Sequence, residues 1–239
     1  MGLDNGVRLT WVGHATWILE TPGGKRVLID PWVTGNPVVP EQLADPGPAD
    51  VFLLTHGHSD HIGDVESLAG RHSPEAVIAI VELGDYLERH GVENVVGMNK
   101  GGTVEAAGIK FTMVAASHSS SIADDQGNPI YLGEANGYIV KLENGYRIYV
   151  AGDTCVFGDM ALIGRLYSPD LAILPIGDHF TMGPFEAAEA IRLLGVKRVV
   201  PTHYGTFGLL TGTPHQLREA AADVLGLEVL DVRPGETVA

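Results

Sequence analysis

The stretch "DVFLLTHGHSDHIGD" (residues 50–64) constrains this chain more than any other. It places three of the ten histidines, with an aspartate, in the six residues from His56 to His61, immediately after an apolar run. A short apolar run bounded by polar residues reads as a buried strand, so the cluster is delivered to a fixed place rather than left in solvent. Imidazole and carboxylate are ligands for borderline cations such as zinc, and two residues spaced i, i+2 grip one ion where the backbone turns. His56 and His58 have that spacing. Asp60 and His61 begin the following helix, which directs them away from the first pair and toward a second ion nearby. The single cysteine, Cys155, excludes an intrachain disulfide and a Cys-rich zinc ribbon. Histidine and carboxylate must therefore supply any metal site. Cys155 itself reads as a small buried apolar residue with no metal role.

The surrounding pattern indicates how such a strand is housed. The opening third consists of short β-type runs, "VRLTWVG", "ATWILE" and "RVLID", with "PGGK" as a hairpin turn. Helical and strand patterns then alternate through "VESLAGRH", "AVIAI" and "VELGDYLERH". A second antiparallel set follows in "GTVEAAGIKFTMVAASH" and "GYIVKLENGYRIYVAGD", where "ENG" marks a hairpin turn. The last third alternates again: helices "DMALIGRLY", "PFEAAEAIRLLG" and "PHQLREAAADVLG", strands "LAILPIG", "KRVVPTH" and "LEVLDV". Sheet, helices, sheet, helices predicts an α/β chain folded as an αββα sandwich, two mixed sheets face to face with helices on the outer faces. No residue-level repeat relates the halves. At 239 residues without an internal linker, the chain is expected to form one domain over 1–239.

Isolated polar residues recur just after apolar strands: His118 in "ASHSS", Asp153 in "AGDT" and His203 in "PTHYG". Strand ends are where one fold gathers distant side chains. The order "THGHSDHIGD", "SH", "GDT", "TH" resembles the metallo-β-lactamase superfamily. "WVGHATWILE", "LIDPWVTGNP", "MNKGGT", "AGDTCVFGDM" and "LPIGDHFTMGPFEA" are similar to its small bacterial and archaeal branch of metal-dependent hydrolases. The resemblance implies the metallo-β-lactamase fold, with one ion held by His56, His58 and His118 and another by Asp60, His61 and His203. Asp153 would bridge them, and a hydroxide shared by the two ions would be the nucleophile. The oxygen-reducing di-iron branch of the same fold carries glutamate where this chain has His58, so hydrolysis is favoured. Zinc suits the ligand set best, while manganese or iron also fits.

Beyond the ligands, Asp30 in "LIDPW" follows a buried-looking strand, and the resemblance places it beneath the metals, hydrogen-bonded to a ligand histidine. His14 in "VGHAT" reads either as a core histidine or, by the resemblance, as a substrate contact or proton donor at the mouth of the site. His179 in "PIGDHFTMG" follows a strand that should end on the same face. It is a second candidate for proton donation, Asp178 beside it for substrate binding. Tyr204, next to His203, is a candidate donor to developing negative charge or a packing residue. His72, His90 and His215 are assigned to surface or capping roles.

Thirty acidic against 15 basic residues give a net charge of −15, which opposes nonspecific attraction to nucleic acid or an anionic membrane. No apolar run approaches the roughly 20 residues that span a bilayer, and "MGLDNGVRLTW" lacks the basic and apolar regions of an export signal. A cytoplasmic protein acting on a small molecule is expected, with self-association left open. The implied activity is hydrolysis of an ester-type bond, in a lactone or a phosphodiester, by a binuclear centre that uses Asp60 and a histidine at the substrate side. A metal-dependent sensor that has lost turnover is the alternative, although the ligand set is intact.

Overall fold

The computed structural model describes residues 3 and 6–239. The N-terminal reading and the 1–239 domain span extend onto residues 1, 2, 4 and 5, which lie outside the described residues. Strands β1 (Arg8–Gly13), β2 (Thr16–Glu20) and β3 (Arg26–Ile29) form the expected antiparallel opening. Next come β4 (Val51–Leu53), the single-turn helix α1 (Ser59–Ile62), α2 (Val65–His72), β5 (Ala76–Ile80), α3 (Val81–Arg89) and β6 (Val95–Met98). From β3 to β6 the pairing is parallel. The second half contains β7 (Thr103–Ala106), β8 (Ile109–Ala115), a small hairpin β9 (Ser121–Ala123) and β10 (Pro129–Tyr131), then β11 (Asn136–Lys141) and β12 (Arg147–Val150). It continues through α4 (Met160–Tyr167), β13 (Leu171–Pro175), α5 (Pro184–Leu194), β14 (Arg198–Thr202), α6 (Pro214–Ala220), β15 (Glu228–Val229) and β16 (Thr237–Val238).

Two seven-stranded mixed sheets result, in the orders β16-β1-β2-β3-β4-β5-β6 and β15-β14-β13-β12-β11-β8-β7. Alternation along the strands builds the layers, because successive side chains point to opposite faces. In β12 and β13, Ile148, Val150, Leu171 and Ile173 enter the core between the sheets, together with Leu53 and Trp17. Tyr149, Ala172 and Leu174 point the other way, against Met160, Ile163, Ala187, Ile191 and Leu217 of the outer helices. Burial on both faces explains why these strands read as near-continuous apolar runs. On the first sheet, α3 packs over β5 and β6. The αββα arrangement is thus present. Among the described residues no helix is long and apolar enough to cross a membrane.

Two details depart from the sequence reading. Short strands β6, β9, β10 and β16 carry too few residues for a period to show. The last helix ends at Ala220 rather than continuing through "AADVLG". Arg192 Nη2 donates 2.9 Å to the Ala220 carbonyl, which occupies an acceptor that a continuing helix would use, and the same guanidinium binds the Asp223 side chain.

Candidate metal centre

The polar residues singled out in the sequence meet at one end of the sandwich, where β4, β8, β12 and β14 stop. Asp153 is their common point. Its Oδ2 lies 3.0 Å from His203 Nε2, 3.3 Å from His61 Nε2, 3.7 Å from His118 Nε2 and 3.9 Å from His56 Nε2. His56 Nε2 and His58 Nδ1 face each other at 2.9 Å. Donor atoms fall into overlapping groups, each within 4.8 Å: His56, His58 and His118; His56, His61 and Asp153; and His14, Asp60, His61 and His203.

The local backbone presents these side chains at a cost. Among the described residues nine non-glycine positions have positive φ, and five of them, His14 (55°), Asp30 (44°), Asp178 (68°), His179 (59°) and His203 (55°), lie at the centre or on the loop packed against it. Left-handed backbone in such residues costs of order 1–3 kcal/mol each and persists where the surroundings over-determine it, as at functional sites. Gly177 shows how tight the packing is. A Cβ there would collide with the carbonyl oxygen of His203, so the loop after β13 lies directly on the backbone of His203. Gly177→Ala is expected to destabilise the fold by about 1–3 kcal/mol through overpacking and to weaken metal binding with it. Thermal melts and metal titration check this, and a variant matching wild type in both would contradict the packing argument.

Beneath the cluster, Asp30 is 1% exposed. It accepts hydrogen bonds from the Thr55 N–H (2.8 Å), the Thr55 hydroxyl (2.7 Å) and His61 Nδ1 (2.8 Å). The Thr55 oxygen in turn meets His56 Nδ1 at 3.0 Å. Since a carboxylate only accepts, Asp30 fixes His61 with Nδ1–H inward. Thr55 gives its own proton to Asp30 and accepts from His56, which turns Nε2 of His56 and of His61 toward Asp153. Thr55 was not anticipated in the sequence, although a hydroxyl residue directly before the first ligand histidine is the signal that would have found it. Ser120 is a second residue not anticipated in the sequence, its hydroxyl accepting from the Gly57 N–H at 3.0 Å inside the His56–His61 loop.

Burial holds His56 well below the ordinary imidazole range, and neighbouring His61 adds to the effect. Burial lowers His58 and His118 as well. His61 goes the other way. Burial opposes its charge, but Asp153 and Asp30 on either side raise it well above its usual value. Asp153 is held well below the usual carboxylate range because His203 and His61 overcome the effect of its burial. Neutral imidazoles and an ionised carboxylate are the forms that bind metal, so the shifts of His56, His58, His118 and Asp153 favour binding, whereas a cation would have to displace the proton that Asp153 and Asp30 favour on His61. The donor set also leaves gaps: His61 Nε2 and both ring nitrogens of His203 are buried with no hydrogen-bond partner among the described residues. Buried polar atoms left unpaired are costly, and a divalent cation would satisfy the two that face Asp153. The residues fit such an ion.

Several expectations require correction. His14 is not at the mouth of the site: it is fully buried, with Nδ1 2.9 Å from Thr206 Oγ1 and Nε2 3.1 Å from Asp60 Oδ2. Tyr204 turns away, its hydroxyl donating to the Val232 carbonyl at 3.3 Å and its ring lying 5.0 Å from Trp11, so it is a packing residue. Cys155 is exposed rather than buried, on a loop held by its backbone N–H donating to the Ser117 carbonyl at 3.1 Å. Asp178 and His179 are exposed and belong to none of the converging donor groups. His179 packs edge-on against Phe180 at 4.4 Å. His72 pairs with Asp45 and His90 bonds its own helix carbonyl, as surface and capping residues do.

Comparison with known proteins agrees with this geometry. A family model described as a β-lactamase superfamily domain matches residues 25–204. A metal-dependent hydrolase of Rubrobacter xylanophilus is 50% identical over 232 residues, covering 97% of this chain and 96% of that protein. One from Koribacter versatilis is 49% identical, with 97% of each covered. Among solved structures, a metallo hydrolase from the hyperthermophilic archaeon Ignicoccus hospitalis superposes with a TM-score of 0.85 at 34% identity, covering 97% of both chains. Buried histidines converging on one aspartate and relatives matched from end to end lead to one conclusion: the chain belongs to the β-lactamase superfamily, in its UPF0173 family of metal-dependent hydrolases.

Proposed function

We propose that this protein is a binuclear metal hydrolase that cleaves an ester-type bond, in a lactone or a phosphodiester, of a small-molecule substrate. The observation carrying the reading is the convergence of four imidazole nitrogens on one carboxylate oxygen, Asp153 Oδ2, within 3.0–3.9 Å. His56, His58 and His118 would hold one ion, Asp60, His61 and His203 the other, with Asp153 shared between them. An all-imidazole and carboxylate set suits zinc, with manganese and iron as alternatives. Two divalent cations bound there supply Lewis acidity toward the bond under attack and lower the pKa of a water.

The chain's own groups supply position and proton handling. Asp153 places negative charge where four histidines need it. The side chain of Asp60 remains 29% exposed, so it is the carboxylate of the centre that reaches the solvent side, where it accepts a hydrogen bond from an attacking water. Asp178 and His179 are exposed on the loop whose Gly177 packs against His203; in this reading Asp178 would orient a substrate and His179 would give a proton to its leaving group. General acid help of this kind contributes roughly 10²–10⁴ in rate.

The test is metal analysis of protein purified without added metal, then a screen of lactones and phosphodiesters on the same sample. Asp60→Ala is expected to keep the fold and lose at least about a hundredfold in turnover. Full rate from that variant with full metal content would place the chemistry elsewhere. A loaded wild-type protein that turns over nothing would favour the sensor reading.

A further inference from the structure

His14 is a buried histidine for which the mechanism has no chemical step. Its Nε2 lies 3.1 Å from Asp60 Oδ2, and a carboxylate oxygen only accepts, so Nε2 carries the hydrogen in either charge state of the ring. That nitrogen then has no lone pair for a metal, although it lies within 4.8 Å of the donor atoms of Asp60, His61 and His203. Thr206 secures the other side of the ring, Oγ1 to Nδ1 at 2.9 Å. The backbone is held as firmly: the His14 carbonyl accepts from Trp11 Nε1 (2.9 Å), Thr202 Oγ1 (2.7 Å) and the His203 N–H (3.1 Å). The imidazole lies 3.9 Å from the ring of His203, centroid to centroid. These contacts reach Asp60 and His203, with His61 at 5.9 Å, and none is made to His56, His58 or His118.

We infer that His14 is a positioning residue for one half of the centre, orienting Asp60 through Nε2–H and fixing the backbone of His203 through its carbonyl, with Thr206 holding the ring in register. The inference rests on reading the cluster as a two-ion site. It predicts that loss of the imidazole weakens one ion and spares the other. Outer-shell partners of this kind are typically worth 10–100-fold in metal affinity.

Titration of metal-free protein with Co²⁺, in competition with a chromophoric chelator, resolves the two equivalents and gives the visible spectrum of each. His14→Leu is expected to weaken one equivalent by about 10–100-fold and change its spectrum, leaving the other as in wild type. His14→Gln, which restores an N–H donor toward Asp60, should recover most of the lost affinity. Thr206→Val should shift the same equivalent in the same direction by a smaller factor, and it decides the question if His14→Leu does not fold. Wild-type affinities and spectrum in His14→Leu, or in Thr206→Val where it alone folds, would overturn the inference. So would equal weakening of both equivalents, or a His14→Gln variant as weak as His14→Leu, since either would mean general damage rather than orientation of Asp60. A wild-type protein that takes up fewer than two equivalents would overturn the two-ion reading itself, a failure distinct from the others.

Discussion

Asp153→Ala is expected to leave a folded protein that binds one equivalent of metal or less and has lost at least about a thousandfold in turnover, equivalent to about 4 kcal/mol of transition-state stabilisation. The magnitude follows from the arrangement. One oxygen of Asp153 stands within 3.9 Å of nitrogens from four histidines that arrive from three strand ends and α1. Without it the centre has no shared anion, and the ring nitrogens of its histidines face one another with no carboxylate between them. His61 loses the larger of the two carboxylate influences that raise it, while Asp30 keeps it oriented. Asp153→Asn separates charge from shape. It preserves side-chain volume, so a similar loss of metal would show that the negative charge is the requirement. Metal analysis beside rates on the same substrate makes the measurement, with circular dichroism as the check on folding. An Asp153→Ala protein that still carries two equivalents would remove the aspartate from the centre.

Comparison of particular residues shows how much of this could be read beforehand. β5 and α2 match the quoted stretches "AVIAI" and "VESLAGRH" residue for residue, because an apolar run and a helical period are local signals. The convergence of His118, Asp153 and His203 with the His56–His61 loop was legible because each follows an apolar strand and because the order of the motifs resembles a known family. β8, β12 and β14 lie in one sheet, whereas β4 lies in the other, so no rule about a single sheet would have joined them. Direction was not legible. His14 follows β1 with φ of 55°, and a left-handed residue in a strand connection points its side chain where no period of two or 3.6 predicts. Tyr204 likewise follows a left-handed residue, His203, and the turn sends it to Trp11 rather than to the ligands. Thr55 escaped notice because its role depends on Asp30, 25 residues away in sequence and 2.7 Å away in space. β16 pairs with β1 across nearly the whole chain, a contact that two residues of sequence do not announce.

Asp30→Ala should show that the same network holds the fold and the metals. The carboxylate is buried and accepts three hydrogen bonds, from the Thr55 N–H, the Thr55 hydroxyl and His61 Nδ1, at 2.7–2.8 Å. Its removal orphans a backbone N–H just past the end of β4 and strips the buried ring of His61 of its inner anion. An unsatisfied buried donor costs about 1–3 kcal/mol, and breaking a buried charge pair costs about 3–5 kcal/mol. Because the groups share one carboxylate, these costs overlap, and a total loss of about 3–5 kcal/mol is expected. In a chain of this length that lowers the melting temperature by about 6–20 °C. Asp30→Asn divides the effect. Asparagine tolerates the left-handed backbone found here, φ of 44°, and its amide oxygen can still accept from Thr55. It should melt closer to wild type while metal binding weakens by about 10–100-fold, because His61 has lost an anionic partner. If Asp30→Ala melted within about 2 °C of wild type, the carboxylate would not be carrying the buried network. If Asp30→Asn instead lost stability but kept full metal affinity, Asp30 would serve the fold alone, and the orientation of His61 would have to come from the packing around it.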